Sequence, residues 1–357
     1  MDKSIHPAIK ILEKYKAFVW PELRYYLTPP KYPKLFKIPD SYKKEVENAY
    51  WRLINEYPER KGKYVRPAIV LLVCEALGVD KSRALKTAAA MQVSEEWLLI
   101  HDDFEDNSTT RRGKPALHRV YGNGLAVNTG DALHIIMWKI LLDNFELLGR
   151  KKALKVANEF YIMLSRTALG QAVEIKWMVE NKMKLDDKDW FFIADGKTSY
   201  YTMAGPARLG GIIGDANAEQ LEKLSEFGLY LGRCFQLVDD LLDVTGDFSG
   251  LKQMANDIYE GKRTLILGHL TRQVSSKDKE KLKNILKKGR DEKSEEEVKW
   301  VIKKMHSYGS IDYAWKIARK LKDDSLVIFD KKLQFLKDEG ARSKIRKLVE
   351  FILERKH

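Results

Sequence analysis

The sequence predicts an all-α protein, and two observations support that prediction. Apolar residues recur at helical spacing along most of the chain, as Ile9, Leu12 and Tyr15 do near its start, and no stretch alternates as a strand would. Leu, Lys, Glu and Ala, which favour helices, are frequent. Since no repeat, low-complexity tract or clear linker divides the 357 residues, we expect a single domain, with N-terminal helices and a connector in 1–57 and its core in 58–357.

Proline, glycine and charged stretches separate the predicted helices. The first helix covers 7–28, and the proline-rich LTPPKYPKLFKIP excludes helix until a second one begins with Ser41 as its cap. A turn with Gly62 precedes a helix that has Pro67 in its first turn and ends at Gly78. Further helical segments are predicted at 82–101, 125–148, 151–180, from 190, at 217–243 and through 265–357.

Composition narrows the class of protein. Hydrophobic residues make up 44% and charged residues 32% of the chain, and charged residues are expected to interrupt every apolar stretch before it can cross a bilayer. The N terminus lacks the apolar run of a signal peptide, so we expect a cytoplasmic protein without membrane insertion. Cys74 and Cys234 lie far apart in apolar helical surroundings, which predicts buried reduced thiols.

The net charge of +13 raises the question of nucleic-acid binding. The lysines are dispersed among acidic residues, and the sequence carries no zinc-finger, homeodomain or RNA-recognition motif. We therefore expect no nucleic-acid partner. A net positive charge serves equally well to attract small anionic substrates such as phosphates.

Two acidic clusters on helical sequence form the candidate site. They comprise Asp102, Asp103 and Asp106 in HDDFED, and Asp239, Asp240 and Asp243 in FQLVDDLLD. Residues four apart share one face of a helix, so each cluster directs its first and last aspartate the same way. Crowded carboxylates repel one another unless a cation joins them, and hard oxygen ligands suit Mg²⁺ that is shared with phosphate. A dimetal oxidase would need Glu-x-x-His pairs and zinc would need Cys and His clusters, and the sequence has neither.

A solvated acidic surface is the alternative for either cluster, but at the second cluster it would also expose the leucines that surround the acids. The basic residues expected around the clusters are Lys63, Arg66, Arg111, Arg112, Lys197, Lys252 and Lys262. Mg²⁺ together with Arg and Lys makes a diphosphate into a leaving group, and an apolar, aromatic wall suits a hydrocarbon. This combination indicates ionisation of an allylic diphosphate.

At these residues the chain resembles the trans-isoprenyl diphosphate synthases, and among them it most resembles the archaeal geranylgeranyl diphosphate synthases. DDFEDNSTTRRG and FQLVDDLLD match the two aspartate-rich motifs of the family, while KGKYVRP, GQAVEI, DGKTSYYT and DIYEGKRTL match further segments. The resemblance implies an isoprenoid-synthase bundle with a central substrate cavity, a homodimer, and three Mg²⁺ ions for which Mn²⁺ can substitute. It also implies head-to-tail condensation of isopentenyl diphosphate with an allylic diphosphate, the departing pyrophosphate accepting the proton.

The resemblance also implies roles for individual residues. The metal ligands would be Asp102, Asp106, Asp239 and Asp243, joined by Asp103 and with Asp240 nearby. The allylic diphosphate would be contacted by Lys197, Lys252 and Arg111, with Lys262 in the loop that closes over the site, and Thr198 and Gln236 would lie beside the developing cation. Isopentenyl diphosphate would be held by Gly62, Lys63, Arg66 and Arg112, and Gln171 would belong to the substrate site.

Two positions depart from the family pattern. Glu95 lies where the family places His or Gln against isopentenyl diphosphate, and Glu174 replaces an aspartate. An anion at position 95 either is neutralised by Lys63 or Arg112 or weakens the binding of this substrate.

Product length in the family is limited by a bulky residue five positions before the first aspartate. That residue is Trp97 here, and it is followed by the smaller Leu98. A single large residue in this region resembles the pattern of family members whose products stop at twenty carbons. Farnesyl and twenty-five-carbon products remain alternatives. A regulatory subunit of a hetero-oligomeric synthase would not need both aspartate clusters, and a class I terpene cyclase would carry a different second metal motif. We therefore expect a Mg²⁺-dependent prenyltransferase.

Overall fold

The chain forms an assembly of helices in the computed structural model, which describes residues 6–245 and 254–354. The prediction of an all-α fold is confirmed, and most helix bounds lie within a few residues of those expected. The α-helices are α1 (Pro7–Tyr26), α2 (Lys43–Val46), α3 (Arg52–Glu59), α4 (Val65–Ala76), α5 (Leu85–Glu105), α6 (Leu117–Tyr121), α7 (Asn123–Leu148), α8 (Arg150–Val179), α9 (Asp187–Ala194), α10 (Gly205–Ile213), α11 (Ala218–Thr245), α12 (Asn256–Glu260), α13 (Leu265–Gln273), α14 (Ser276–Lys287), α15 (Glu295–Ser307), α16 (Ser310–Lys332) and α17 (Glu339–Glu354).

The N-terminal region follows the predicted order with one difference. Helix α1 packs on α4, α5 and α17, and the proline-rich segment after it holds only a short 3₁₀ turn, Lys34–Phe36. The expected helix cap at Ser41 is wrong, because Ser41 lies inside a second 3₁₀ turn, Asp40–Tyr42, and α2 begins after it without a side-chain cap. The extended backbone of Pro39 starts this turn before the helix can form.

A two-residue hairpin reverses the chain after α5. Strands β1 (Thr110–Arg111) and β2 (Lys114–Pro115) pair in antiparallel fashion, and Arg112 and Gly113 form the turn with positive φ angles of 53° and 75°. Two successive positive φ angles define a tight hairpin turn that matches the twist of the strands, which is why glycine follows arginine here. The hairpin brings both arginines back towards α5.

The helices that carry Lys197 and the second acidic cluster pack closely together. Helix α9, a π-helical segment (Asp195–Ala204) and α10 form one continuous run, and Lys197 lies in its wider π turns. Helix α11 packs along this run, and α16 also packs against α11. A β-carbon at Gly228 or Gly232 would meet backbone atoms of the π segment at 2.4 and 2.5 Å, so these glycines permit the close approach.

Helix α7 combines a buried face with an exposed apolar face. Among the described residues it is the one helix that is long and apolar enough to cross a membrane, and 44% of its most apolar window is buried in the fold. Charged residues lie within this helix as well, among them Asp131 and Lys139. Its exposed face carries Ile135 and Leu142, which are 68% and 61% exposed, and α8, which packs against it, exposes Leu154 and Tyr161.

Candidate active site

A cavity of about 530 Å³ lies among α5, α8, the π segment, α11 and the loop around α12. Glu105, Glu174, Asp257, Glu260 and Arg263 add further charged groups to its wall. The predicted residues that line it are Arg66, Trp97, Leu98, Asp102, Arg111, Gln171, Lys197, Thr198, Gln236, Asp239, Asp240, Asp243 and Lys262. The fold thus brings both acidic clusters, 137 positions apart along the chain, to one space.

Lysines compensate Asp102 and Asp106 at the end of α5. Lys197 Nζ lies 3.1 Å from Asp102 and 2.7 Å from Glu174, and Lys262 Nζ lies 2.8 Å from Asp106. Burial alone would raise the pKa of Asp102, but Lys197, Lys262 and Arg111 outweigh it and hold that pKa below its ordinary value. Burial raises the pKa of Asp106 to about 7, against the opposing charge of Lys262. The two acids share one helix end and differ in how readily they take a proton.

Asp103 turns away from the cavity and fixes Arg111. Its side chain is fully buried, accepts a hydrogen bond of 2.6 Å from the Tyr57 hydroxyl, and is bridged by the Arg111 guanidinium, whose Nε donates at 3.0 Å. The resulting ion pair orients Arg111 so that it also reaches Asp102 at 3.6 Å and lines the cavity. The structure therefore places Asp103 as the support of Arg111, whereas Asp102 lines the cavity and the buried Asp106 pairs with Lys262.

The second cluster is divided in a similar way. Asp239 is exposed towards the cavity, whereas Asp240 is buried and accepts hydrogen bonds from Gln236 at 2.6 Å and from the Trp190 indole at 3.1 Å. Burial raises the pKa of Asp240 to about 7, helped by the nearby charges of Asp239 and Glu174. Gln236, predicted beside the developing cation, is thus held by the acidic cluster on its own helix.

Asp243 anchors the loop that follows α11. Its two carboxylate oxygens accept backbone N–H groups of Asn256 and Asp257 at 3.1 and 3.0 Å. Burial, together with Asp243, raises the pKa of Asp257 well above its ordinary value, although Lys262 opposes the shift. The start of α12 is therefore fixed against the C-terminal end of α11. Lys252 lies outside the described residues.

The oxygen donors of the cavity fit Mg²⁺. Asp102, Asp239 and Asp243 reach one space from two helices, and Asp106 Oδ1 is buried and accepts no hydrogen bond within the described part of the chain. Over those same residues, no three potential ligands stand close enough to hold a metal ion alone. Mg²⁺ typically binds through one or two carboxylates plus substrate phosphates, so this arrangement suits a metal that arrives with a diphosphate.

A second group of charges surrounds the turn before α4. Glu95 lies 3.1 Å from Arg66 and 3.5 Å from Arg112, while the fully buried Glu96 lies 2.9 Å from Arg112. A β-carbon on Gly62 would stand 2.7 Å from the Arg112 guanidinium, so a larger residue here would require the end of this side chain to shift. The arginines at this group are therefore each paired with at least one carboxylate.

The other predicted residues occupy separate places. Lys63 lines a second cavity of about 50 Å³, which is apolar and lies between α1, α4, α11 and α17. Gln171 donates to Glu105 at 2.8 Å, and Glu174 is the partner of Lys197. Trp97 packs against the rings of His101 and His134 with ring centroids 5.7 and 4.8 Å away. The buried free thiols expected at Cys74 and Cys234 are confirmed.

Sequence reasoning missed a network beneath the loop that carries Lys262. Glu260 lies 2.8 Å from Lys262 and 2.8 Å from the nearly buried Arg290, which also donates to Asn256. Lys293 donates to the carbonyl of Tyr259 at 2.7 Å. Arg290 and Lys293 lie in KKGRDEK, a charged turn that carries no pattern by which it could have been assigned to the site.

The fold and the site together define an all-helical enzyme of the isoprenoid-synthase type. A family model for polyprenyl synthetase matches residues 47–305. The chain is 31% identical to geranylgeranyl diphosphate synthase from Saccharolobus solfataricus, across 83% of this chain and 87% of that protein. It is 29% identical to geranylfarnesyl diphosphate synthase from Natronomonas pharaonis, across 83% and 87%. The crystal structure of geranylgeranyl pyrophosphate synthetase from Pyrococcus horikoshii matches with a TM-score of 0.81 and 29% identity, across 97% and 98% of the two chains.

The chain belongs to the polyprenyl synthetase family, and the protein is a prenyltransferase. Members of this family elongate prenyl chains from isopentenyl diphosphate and allylic diphosphates and use Mg²⁺. The family resemblance seen in the sequence is thereby confirmed.

Replacing Arg290 with Gln tests whether the buried network positions the loop over the cavity. Without the guanidinium, Glu260 keeps Lys262 as its cation and draws it from Asp106, so we expect kcat/KM to fall about tenfold, or about 1.4 kcal/mol. Steady-state kinetics with an allylic diphosphate measures this change. Arg346→Gln, which removes a surface arginine of α17, is the control and should leave kcat/KM unchanged. Equal kinetics for both variants would show that the loop does not depend on Arg290.

Proposed function

We propose that the protein condenses isopentenyl diphosphate with an allylic diphosphate to give a short-chain product, and that Trp97 limits this product to twenty carbons. The observation that supports this proposal is the shared cavity, in which two acidic clusters and the cations Lys197, Arg111 and Lys262 face one another beside an apolar wall. We propose that the N-terminal helices and the core form one domain, which contains this cavity. We also propose a cytoplasmic location.

The cations of the cavity stabilise a departing diphosphate. Mg²⁺, held by Asp102, Asp106, Asp239 and Asp243, would supply positive charge to the diphosphate oxygens. Lys197, Lys262 and Arg111 bind the same oxygens as the allylic carbon–oxygen bond breaks and the pyrophosphate takes the electron pair. Burial strengthens these interactions because water screens them less.

Polar groups around the reacting carbons orient the cation and the second substrate. Gln236 is fixed by Asp240, and Thr198 lines the cavity one residue after Lys197, which supports a role for both side-chain oxygens beside the allylic carbon. The double bond of isopentenyl diphosphate forms the new carbon–carbon bond with that carbon. A proton then passes to the departing pyrophosphate, and no side chain has to act as the base.

Arg66 and Arg112, with Gly62 and Lys63, would hold isopentenyl diphosphate. Arg66 is oriented by a hydrogen bond of 2.8 Å to Thr202 and by the face of the Tyr201 ring, 4.6 Å from its guanidinium carbon. Since this arginine also lines the main cavity, its substrate would lie next to the allylic diphosphate. Adjacent sites for two diphosphates are what a condensation requires.

An activity assay tests the proposed function directly. Purified protein, Mg²⁺ and labelled isopentenyl diphosphate are incubated with dimethylallyl, geranyl, farnesyl or geranylgeranyl diphosphate, and the products are separated by chain length. We expect elongation that stops at geranylgeranyl diphosphate and is lost in Asp102→Asn. Absence of any product with every allylic substrate would instead favour a regulatory subunit.

Glu95→Gln tests the role of the anion between the two arginines. Isopentenyl diphosphate must compete with Glu95 for Arg66 and Arg112, so removing the negative charge should lower its KM about tenfold, or about 1.4 kcal/mol. Steady-state kinetics at saturating allylic diphosphate gives this value. Glu222→Gln, which alters an exposed partner of Arg208, is the matched control. A KM that stays the same or rises would show that Glu95 positions the arginines rather than competing with the substrate.

Trp97→Ala tests what limits the product. Trp97 lines the cavity and is braced by His101 and His134, so its removal should open the hydrocarbon end and yield products longer than those of the unaltered enzyme. Chromatography of the dephosphorylated products measures the shift. Trp300→Ala, in α15 and outside the cavity, should leave the product spectrum unchanged. An unaltered spectrum for Trp97→Ala would remove this residue from the limiting role.

We further propose a homodimer formed by the exposed apolar faces of α7 and α8. Ile135 and Leu142 on α7 and Leu154 and Tyr161 on α8 are spaced seven residues apart, so each pair lies on one face of its helix. Leu142→Glu should therefore convert a dimer to a monomer in light scattering coupled to gel filtration. Val327→Glu on α16, which likewise alters an exposed apolar residue, should leave the mass unchanged. A dimeric Leu142→Glu protein would contradict this interface.

A further inference from the structure

The segment between α1 and α2 exposes a group of large apolar side chains. We define the connector surface as residues 28–44, all of which are exposed except the half-buried Ile38. Leu35 is fully exposed, Phe36 is 73% exposed and Tyr42 is 60% exposed. Exposed apolar side chains clustered in one short segment commonly mark an interaction site.

Prolines shape how these side chains are displayed. Pro33 precedes the 3₁₀ turn that carries Leu35 and Phe36. Because the φ angle of proline is fixed, Pro33 restricts the conformations that the chain can adopt at the start of this turn. The Tyr32 ring meets the Phe36 ring edge-on, with centroids 5.8 Å apart. The aromatic and aliphatic side chains are therefore presented on a short turn and are not folded back into the core.

Positive charge surrounds the same side chains. Residues 28–44 contain five lysines and one acid, Asp40, which gives a net charge of +4. Lys43 pairs with Asp40 at 2.7 Å. Within the described part of the chain, Lys31, Lys34 and Lys37 form no ion pair, so their charges remain available to an external anion.

We propose that the connector surface binds the face of an anionic lipid bilayer. Leu35 and Phe36 enter the boundary between headgroups and acyl chains, the tyrosines lie at headgroup level, and the lysines contact lipid phosphates. Aromatic residues at the interface and lysines near anionic headgroups are the two contributions that hold a protein on such a surface. This is peripheral attachment, with the helical body remaining in water.

Charge and shape favour this occupant over the others. A two-fold contact with a second copy would bring +4 against +4, and like charges oppose it. A nucleic acid would use the lysines but would leave Leu35 without a partner, since single strands are bound by aromatic stacking and by phosphate contacts. A bilayer uses both the charges and the apolar side chains. Under the proposed function, a bilayer would also receive the amphiphilic prenyl diphosphate product.

Vesicle sedimentation tests the proposal with the full-length protein. The probes are vesicles of phosphatidylglycerol and vesicles of phosphatidylcholine, at low and at high salt. We expect binding to the anionic vesicles only, weakened by salt. The triple variant Lys31→Gln/Lys34→Gln/Lys37→Gln should bind roughly a hundredfold more weakly, because each lysine near an anionic surface contributes about fivefold. Leu35→Ser/Phe36→Ser should lose at least about tenfold through the lost apolar contact.

A matched charge variant separates the connector surface from net charge. Lys277, Lys279 and Lys283 are exposed on α14, and replacing all three with Gln removes the same charge where no comparable apolar group stands. This control should keep its binding to phosphatidylglycerol. Equal loss in the control and the connector variant would overturn the proposal, as would wild-type protein that does not bind anionic vesicles. Unchanged vesicle binding by Leu35→Ser/Phe36→Ser, with a changed mass in light scattering, would assign the surface to a second copy and also overturn it. Melting temperatures confirm that each variant is folded.

Discussion

Two buried ion pairs between α5 and the following hairpin determine how the rest of the site can be arranged. Glu96 holds Arg112 and Asp103 holds Arg111, and both acids are fully buried. Tyr57 connects the pairs, because its carbonyl accepts from Arg112 at 3.0 Å and its hydroxyl donates to Asp103. Removing one partner of a buried ion pair typically costs about 3–5 kcal/mol, since it leaves a charge without compensation. The hairpin therefore has one stable position, from which each arginine serves a different part of the site.

The same principle of shared cations continues across the cavity. Lys197 lies between Asp102 and Glu174, and Lys262 lies among Asp106, Asp257 and Glu260. Their ammonium groups come from the π segment and from the loop after α12, so the repulsion within the first acidic cluster is relieved only when three parts of the chain meet. In the proposed reaction, these lysines would exchange carboxylate oxygens for phosphate oxygens when a diphosphate binds. Because these lysines already lie among the carboxylates of the cavity, binding a diphosphate would not require them to travel far.

Local pattern made much of the fold and part of the site predictable. Helical periodicity and breakers such as Gly78 act over a few residues, so the order of helices followed from the sequence, and the spacing of the aspartates showed that two on each helix face the same way. The assignment of Asp103 could not follow from spacing alone, because its burial depends on Tyr57, 46 positions earlier. Glu96 offered a usable signal, since it lies four residues before the buried Ile100 and so on the same buried face. Arg290 offered none, because its partners belong to a loop 30 and 34 positions away.

The two arginines proposed for isopentenyl diphosphate differ in what an incoming anion would have to replace. Arg112 is held by the buried Glu96, whose pKa is raised by burial although Arg112 opposes the shift, and this pair leaves little freedom to move. Arg66 has Glu95 as its carboxylate partner at 3.1 Å, and the rest of its surroundings are the Thr202 hydroxyl and the Tyr201 ring, which are neutral. A diphosphate that binds Arg66 therefore displaces one carboxylate, and that carboxylate still has Arg112 at 3.5 Å to neutralise it. Glu95 would thus keep a cation after leaving Arg66, but because Arg112 is also proposed to hold isopentenyl diphosphate, the carboxylate and the substrate would still compete for that arginine.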